Sequence, residues 1–244
     1  MIHELHINQT LTDPDVDLSD RVVLITGASR GVGAAAAKIG AEAGADVVIN
    51  YRSKERRAQA VADDVTAAGR RAVLAQADLT NESDIATMFA TAKQEFGKLD
   101  VLVLNASGGL EKDVPADYSM MLNRDAQVNT AKAALDLLGP GSVIVFVTSH
   151  LAHYYGTKPV MESYETVAEG KKAGEVALRA MMQDLAARGI RLTVVSGDLI
   201  DGTITPKLLD RMTPGVIDQR RADAGWLPTT EDFAASIILA AGKH

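Results

Sequence analysis

Glycine recurs at positions 27, 31 and 33 within Thr26-Gly27-Ala28-Ser29-Arg30-Gly31-Val32-Gly33, between an apolar run and an alanine-rich stretch. A strand, a glycine turn and a helix in that order let backbone approach a pyrophosphate, and the orphan N–H groups and dipole at the helix start favour negative charge. The segment reads as a dinucleotide site in which Gly27, Ser29, Arg30, Gly31, Val32 and Gly33 surround phosphate. It has no lysine followed by serine or threonine, which excludes a kinase-type phosphate loop. A dinucleotide site also needs a reader of the adenosine ribose at the tip of the next strand, where an acid favours NAD and an arginine favours NADP. Asn50, Tyr51 and Arg52 occupy that tip and Arg30 adds a second positive charge, so NADP is expected over NAD. Asp78 and Leu79 fit an adenine-contacting pair, or a cap for the following helix. Asn105-Ala106-Ser107-Gly108-Gly109 is small enough to let backbone run beside the cofactor.

These residues lie at the ends of regularly alternating segments. Apolar runs at 21–25, 47–50, 72–77, 101–105, 142–148 and 191–195 read as buried parallel strands, and 34–42, 55–68, 83–96, 121–138, 162–188 and 231–241 as helices. That cadence implies an α/β fold: a single Rossmann-type doubly wound parallel sheet in a three-layer α/β/α arrangement, with ligands at the carboxyl ends of its strands. Residues 1–20 read as a mobile N-terminal extension, and 21–244 as one dinucleotide-binding catalytic domain. Its stretch near 201–226, rich in Pro, Gly and Thr with Leu208, Leu209, Met212, Ile217 and Trp226 interspersed, suits a substrate lid over an apolar pocket.

Composition narrows the function classes. The chain has 244 residues, a net charge of -7 and no basic tract, which argues against nucleic acid as a partner. No apolar stretch approaches the length of a membrane span, and residues 1–20 lack a signal-peptide pattern, so no membrane partner and a cytoplasmic location are expected. The absence of cysteine removes disulfides, thiolate nucleophiles and cysteine-ligated metals. With His3 and His6 in the leader and His150 and His153 the only other close pair, no metal site is expected.

The ordered motifs resemble the short-chain dehydrogenase/reductase family over nearly the full length. Thr26, Gly27, Gly31 and Gly33 match its glycine pattern, Asp78 its aspartate after strand three, Asn105 and Ala106 its asparagine-alanine-glycine element, Asn129 its fourth-helix asparagine, and Ser149 the serine closing strand five. The catalytic helix departs from the pattern, because Ala168 follows Tyr164 by four residues where the family places lysine. Counting back from Gly189-Ile190-Arg191 puts Lys171 in the lysine position and Val167 where tyrosine is expected. The seven-residue step from Tyr164 to Lys171 resembles the enoyl-acyl-carrier-protein reductase branch. It spans about two helical turns and keeps both side chains on one face. Ser196-Gly197-Asp198 replaces the family's proline-glycine element, and Leu199 and Thr203 fall where the family touches nicotinamide and phosphate. Relatives continue past the last helix with a strand that supports the sheet edge.

The resemblance implies a reductase that transfers hydride from NADP to a carbonyl: a ketone, aldehyde or 3-oxoacyl thioester. Alternatives are an enoyl thioester reductase and a catalytically silent NADP-binding scaffold. In the carbonyl reading Tyr164 protonates the developing oxyanion and Ser149 polarises it. Lys171 stabilises the phenolate and holds the nicotinamide ribose, and Asn129 holds a relay water. Tyr154, Tyr155 and Lys172 are the alternates. The family's helix pairing implies a homodimer or homotetramer.

Overall fold

The computed structural model describes residues 3–7, 9–11, 15–111, 113–201 and 203–242. Seven parallel strands form one sheet: β1 (His3–His6), β2 (Val22–Ile25), β3 (Asp46–Tyr51), β4 (Ala72–Gln76), β5 (Leu99–Leu104), β6 (Leu138–Ser149) and β7 (Arg191–Gly197). Their spatial order is β1-β7-β6-β5-β2-β3-β4. The helices are α1 (Gly31–Glu42), α2 (Glu55–Ala67), α3 (Glu82–Phe96), α4 (Tyr118–Met120), α5 (Ala126–Ala134), α6 (His150–His153), α7 (Glu165–Ala180), α8 (Met182–Ala187), α9 (Ile204–Met212), α10 (Val216–Ala224) and α11 (Thr230–Ala241).

The strands are apolar without alternation because helices cover both faces of the sheet. Successive side chains still divide between two cores. Val23, Ile25, Val47, Ile49, Val101, Val103, Val143 and Val145 are buried with residues of α1, α2 and α11. Val22, Leu24, Val48, Leu102, Leu104, Ile144 and Phe146 are buried with residues of α3, α5, α7 and α8. Strand order reverses between β2 and β5, so the glycine turn after β2 and Asn105 after β5 meet at the crevice where such sheets bind ligands. Among the described residues no helix is long and apolar enough to cross a membrane.

Three expectations change. The leader is built into the fold where it is described: His3–His6 pairs with Thr193–Ser196 of β7, Leu5 packs on the core, and Ile7 and Leu18 are buried. The strand thus sits at the sheet edge for which the resemblance predicts a C-terminal strand. The helix expected over 121–138 is interrupted, with a π-helical turn over Met121–Asp125 before α5. Similarly, the 162–188 stretch divides into a 3-10 turn (Glu162–Tyr164), α7 and α8.

Candidate active site

Three glycines shape the phosphate turn for different reasons. Gly27 and Gly31 have φ of 65° and 56°, where side chains are strained. A Cβ on Gly33 would stand 2.7 Å from both Asn105 Nδ2 and Gly27 O, so only glycine lets α1 start against the end of β5. Thr26 ties the two strand ends together: its hydroxyl donates to Val103 O and accepts from the backbone N–H groups of Asn105 and Ala106. Asn105 Nδ2 donates to Thr26 O at 2.9 Å. Helix α1 begins at Gly31 with no side-chain cap and no acid in its first turn, which leaves its positive end open to an anion. Val32 is buried, Ser29 half-buried, and Arg30 exposed at the N-cap.

At the tip of β3 the structure separates three expected ribose readers. Asn50 is 2 % exposed and turned inward. Its Oδ1 accepts from Gly27 N–H, and its Nδ2 donates to Ala75 O and Ala77 O. Asn50 therefore shapes the turn from below instead of facing a ribose. Tyr51 is buried in the core. Only Arg52 reaches outward, where its Nη1 donates to Tyr118 Oη at 2.7 Å. Asp78 folds its own turn, accepting from Thr80 N–H and Oγ1, and Leu79 is buried.

Ser149 closes β6 and caps α6, its Oγ accepting from Ala152 N–H. The same oxygen lies 3.1 Å from Tyr164 Oη, which the 3-10 turn before α7 delivers to it. Lys171 follows on α7, 9 % exposed, with Nζ donating to Val147 O at 3.4 Å. Burial holds the Lys171 ammonium down at about 8. Burial also raises the Tyr164 phenol, partly offset by the hydrogen bond with Ser149. The alternates stand elsewhere. Tyr155 bonds to Glu165, Lys158 lies over the Tyr154 ring, and Lys172 donates to His153 O.

Asn129 does not join this group. It is half-buried and its Nδ2 donates to Glu82 on α3. The asparagine beside the site is Asn123, in the π-helical turn and 1 % exposed. Its Oδ1 accepts from Ser107 Oγ, and its Nδ2 donates to Gly108 O, Ser119 O and Ser119 Oγ. A Cβ on Gly174 would lie 2.1 Å from Asn123 O, so that carbonyl presses on α7 one turn beyond Lys171. The sequence offers a weak signal for Asn123, an amide directly after the apolar Met120-Met121-Leu122.

Residues 21–212 match the model of the short chain dehydrogenase family. The chain belongs to that family. An uncharacterised oxidoreductase of Methylorubrum extorquens is 33% identical to this dehydrogenase over 212 residues, covering 83% of each chain. A hydroxynaphthalene reductase-like protein of Metarhizium majus is 34% identical over 185 residues, 73% of this chain and 68% of that one. A short chain dehydrogenase from Burkholderia cenocepacia, solved in complex with NADP, superposes with a TM-score of 0.76 at 32% identity, covering 92% of this chain and 91% of that one.

In this dehydrogenase the segment after β7 folds over Tyr164. Leu209 of α9 and Ile217 of α10 are buried with Leu151, Tyr164, Leu199 and Leu227. Asp198 pairs with Arg220 through both its carboxylate oxygens and also accepts from Leu199 N–H. Gly197 is packed so that a Cβ would stand 2.7 Å from Phe233. Thr203 is the N-cap residue of α9, its hydroxyl donating to Ile200 O.

Proposed function

We propose that this dehydrogenase is an NADP-dependent reductase of an apolar carbonyl compound. The observation that carries the reading is the 3.1 Å contact of Ser149 Oγ with Tyr164 Oη, with Lys171 two turns further along the same helical segment. The residues fit the dinucleotide. Gly27, Gly31 and Gly33 with the uncapped start of α1 would take the pyrophosphate, and Arg30 and Arg52 the extra phosphate of NADP. Asn105, Ala106 and Ser107 would lie beside the nicotinamide ribose, with Leu199 and Thr203 at its far side. When bound, the reduced cofactor supplies the hydride.

The protein's own groups handle the oxygen. Ser149 and Tyr164 converge on one point, where a substrate oxygen accepts both hydroxyls. Charge developing there is stabilised by fixed donors in a site closed to water. Tyr164 gives up its proton as general acid. The Lys171 ammonium favours the phenolate that remains, and Asn123, through its backbone carbonyl beside α7, takes the relay position that the resemblance gave to Asn129. Helices α9 and α10 act as the lid, with Leu209 and Ile217 setting an apolar preference.

The test is fluorescence titration with NADPH and NADH, followed by turnover of a ketone panel. NADPH is expected to bind at least tenfold more tightly than NADH. Tyr164→Phe should lower kcat by about 10²- to 10⁴-fold, the usual contribution of a general acid, with NADPH affinity unchanged. Equal loss of binding and turnover in that variant would remove Tyr164 from the chemistry. Tight binding without turnover of any carbonyl would favour the silent scaffold.

A further inference from the structure

Pairing β1 beside β7 brings the leader's histidine next to the two histidines of α6, which sequence distance had kept apart. His6 and His153 ring centroids lie 5.1 Å apart, and those of His6 and His150 5.9 Å. Glu4 completes the group: its Oε2 is 3.5 Å from His6 Nε2 and 4.0 Å from His153 Nε2. One donor atom from each of Glu4, His6 and His153 falls within a 4.8 Å cluster. We propose that Glu4, His6 and His153 bind a divalent transition-metal ion of the zinc type, clamping the edge strand to α6. This site is independent of the dinucleotide chemistry proposed above.

The supporting contacts are those a metal site requires. Metal-binding imidazoles characteristically hold the second ring nitrogen on an acceptor, which fixes the tautomer and aims the other nitrogen at the ion. His153 Nδ1 donates to Glu175 Oε2 at 2.9 Å, and Glu175 is 1 % exposed. A carboxylate can only accept, so neutral His153 presents the lone pair of Nε2 to Glu4. His6 Nδ1 is 2.7 Å from Ser196 Oγ, which can accept in the same way and leave His6 Nε2 free. Arg179 occupies the opposite oxygens of both carboxylates, bonding Glu4 Oε1 and Glu175 Oε1. Both Oε2 atoms therefore point to the imidazoles.

Charge and donor type select the ion. With both histidines neutral, Glu4, Glu175 and Arg179 sum to one negative charge, which the Lys172 ammonium on His153 O brings to zero, so no net positive charge opposes a divalent cation. Two nitrogen donors out of three disfavour magnesium and calcium, which take oxygen, and suit zinc with an open position for water. Glu4 and His6 side chains are 37% and 34% exposed, so an ion can enter from solvent, while His153 at 10% anchors the inner side. Ser149 caps α6, so ordering of that helix by the ion would act on the serine of the reaction.

The experiment uses untagged, chelator-stripped full-length protein, titrated with Zn²⁺ by calorimetry and with Co²⁺ by visible absorption. The expected result is one ion per chain with a Kd below about 100 µM at pH 7.5. Glu4→Gln, nearly isosteric and at an exposed strand position, should weaken Zn²⁺ at least tenfold, and His153→Ala should do so too. Glu175→Gln should weaken it by about 10- to 100-fold through the orientation of His153. Zn²⁺ should raise the midpoint of thermal unfolding in the parent protein and not in Glu4→Gln. A Kd above about 100 µM, or tight binding that Glu4→Gln and His153→Ala both leave unchanged, would overturn the assignment.

Discussion

Asn123 satisfies four polar partners from inside the protein, three as donor and one as acceptor. Truncating a buried side chain of this kind leaves carbonyls without donors, which costs about 1–3 kcal/mol. Asn123→Ala is therefore expected to lose about 2–3 kcal/mol in urea unfolding and to lower kcat through displacement of the carbonyl beside α7. Asn129→Ala, on a half-buried face with a single bond to Glu82, should stay within about 0.5 kcal/mol and keep its turnover. The reverse pattern would return the relay to Asn129. The contrast also explains what the sequence carries at this scale. Ser149 and Tyr164 are readable because a strand end and a helix start are easily located, and their hydroxyls meet; the phase argument that pairs Tyr164 with Lys171 assumes one regular helix, whereas Tyr164 stands in the 3-10 turn before α7. The choice between two asparagines on one helix is not readable, since the π-helical turn over Met121–Asp125 slips the phase between them. Asn50 misleads for a related reason: its place at a strand tip was legible, but its side-chain direction was set by the free N–H of Gly27.

At the scale of elements, α7 meets α4 and the π-helical turn through glycine. A Cβ on Gly170 would stand 2.9 Å from Ser119 O, and one on Gly174 would stand 2.1 Å from Asn123 O. These residues are four apart, so they line one stripe of the helix and set how closely it approaches. Gly174→Ala gains the intrinsic helix propensity of alanine, about 1 kcal/mol, yet it meets backbone that cannot rotate away. Overpacking of 1–3 kcal/mol or more should win, and the expected outcome is a lower unfolding midpoint with reduced kcat. Gly139→Ala, at the start of β6 where a Cβ would meet nothing within 4 Å, is the control for an uncrowded glycine and carries no helix-propensity gain. Stability equal to the control would mean that the two helices part easily and do not position Lys171 rigidly. Apolar runs and glycine turns made six strands and most helices legible, because burial on both sheet faces writes itself as Val, Leu and Ile. Strand β1 escaped because His3–His6 is four residues long and mostly polar at an edge. Its signal is the two-residue spacing of Leu5 and Ile7, one packed on the core and the other buried.

The whole molecule registers the buried lysine through its pH dependence. An exposed lysine titrates at 10.5, whereas burial brings Lys171 down to about 8 in the folded protein. Below pH 8 both folded and unfolded chains carry the proton, and the folded state bears the full penalty of a buried charge, about 3 kcal/mol for such a shift. Between pH 8 and 10.5 the unfolded chain holds one proton more, so stability rises with pH at up to about 1.4 kcal/mol per unit. Tyr164 acts in the opposite sense and later: its phenol is raised above 10.0, so the folded state keeps that proton and loses stability only above that pH. The window from 8 to 10 therefore belongs to Lys171. Lys171→Met, similar in length and apolar, should be more stable than the parent at pH 7 by about 1–3 kcal/mol, and its advantage should shrink steadily toward pH 10. Urea unfolding of both cofactor-free proteins at pH 7, 8, 9 and 10 measures this difference, and parallel stability curves would show that Lys171 is not a buried charge. If Lys171 has the role proposed for it, the same variant should also lose turnover, which an assay of NADPH oxidation with a ketone panel measures.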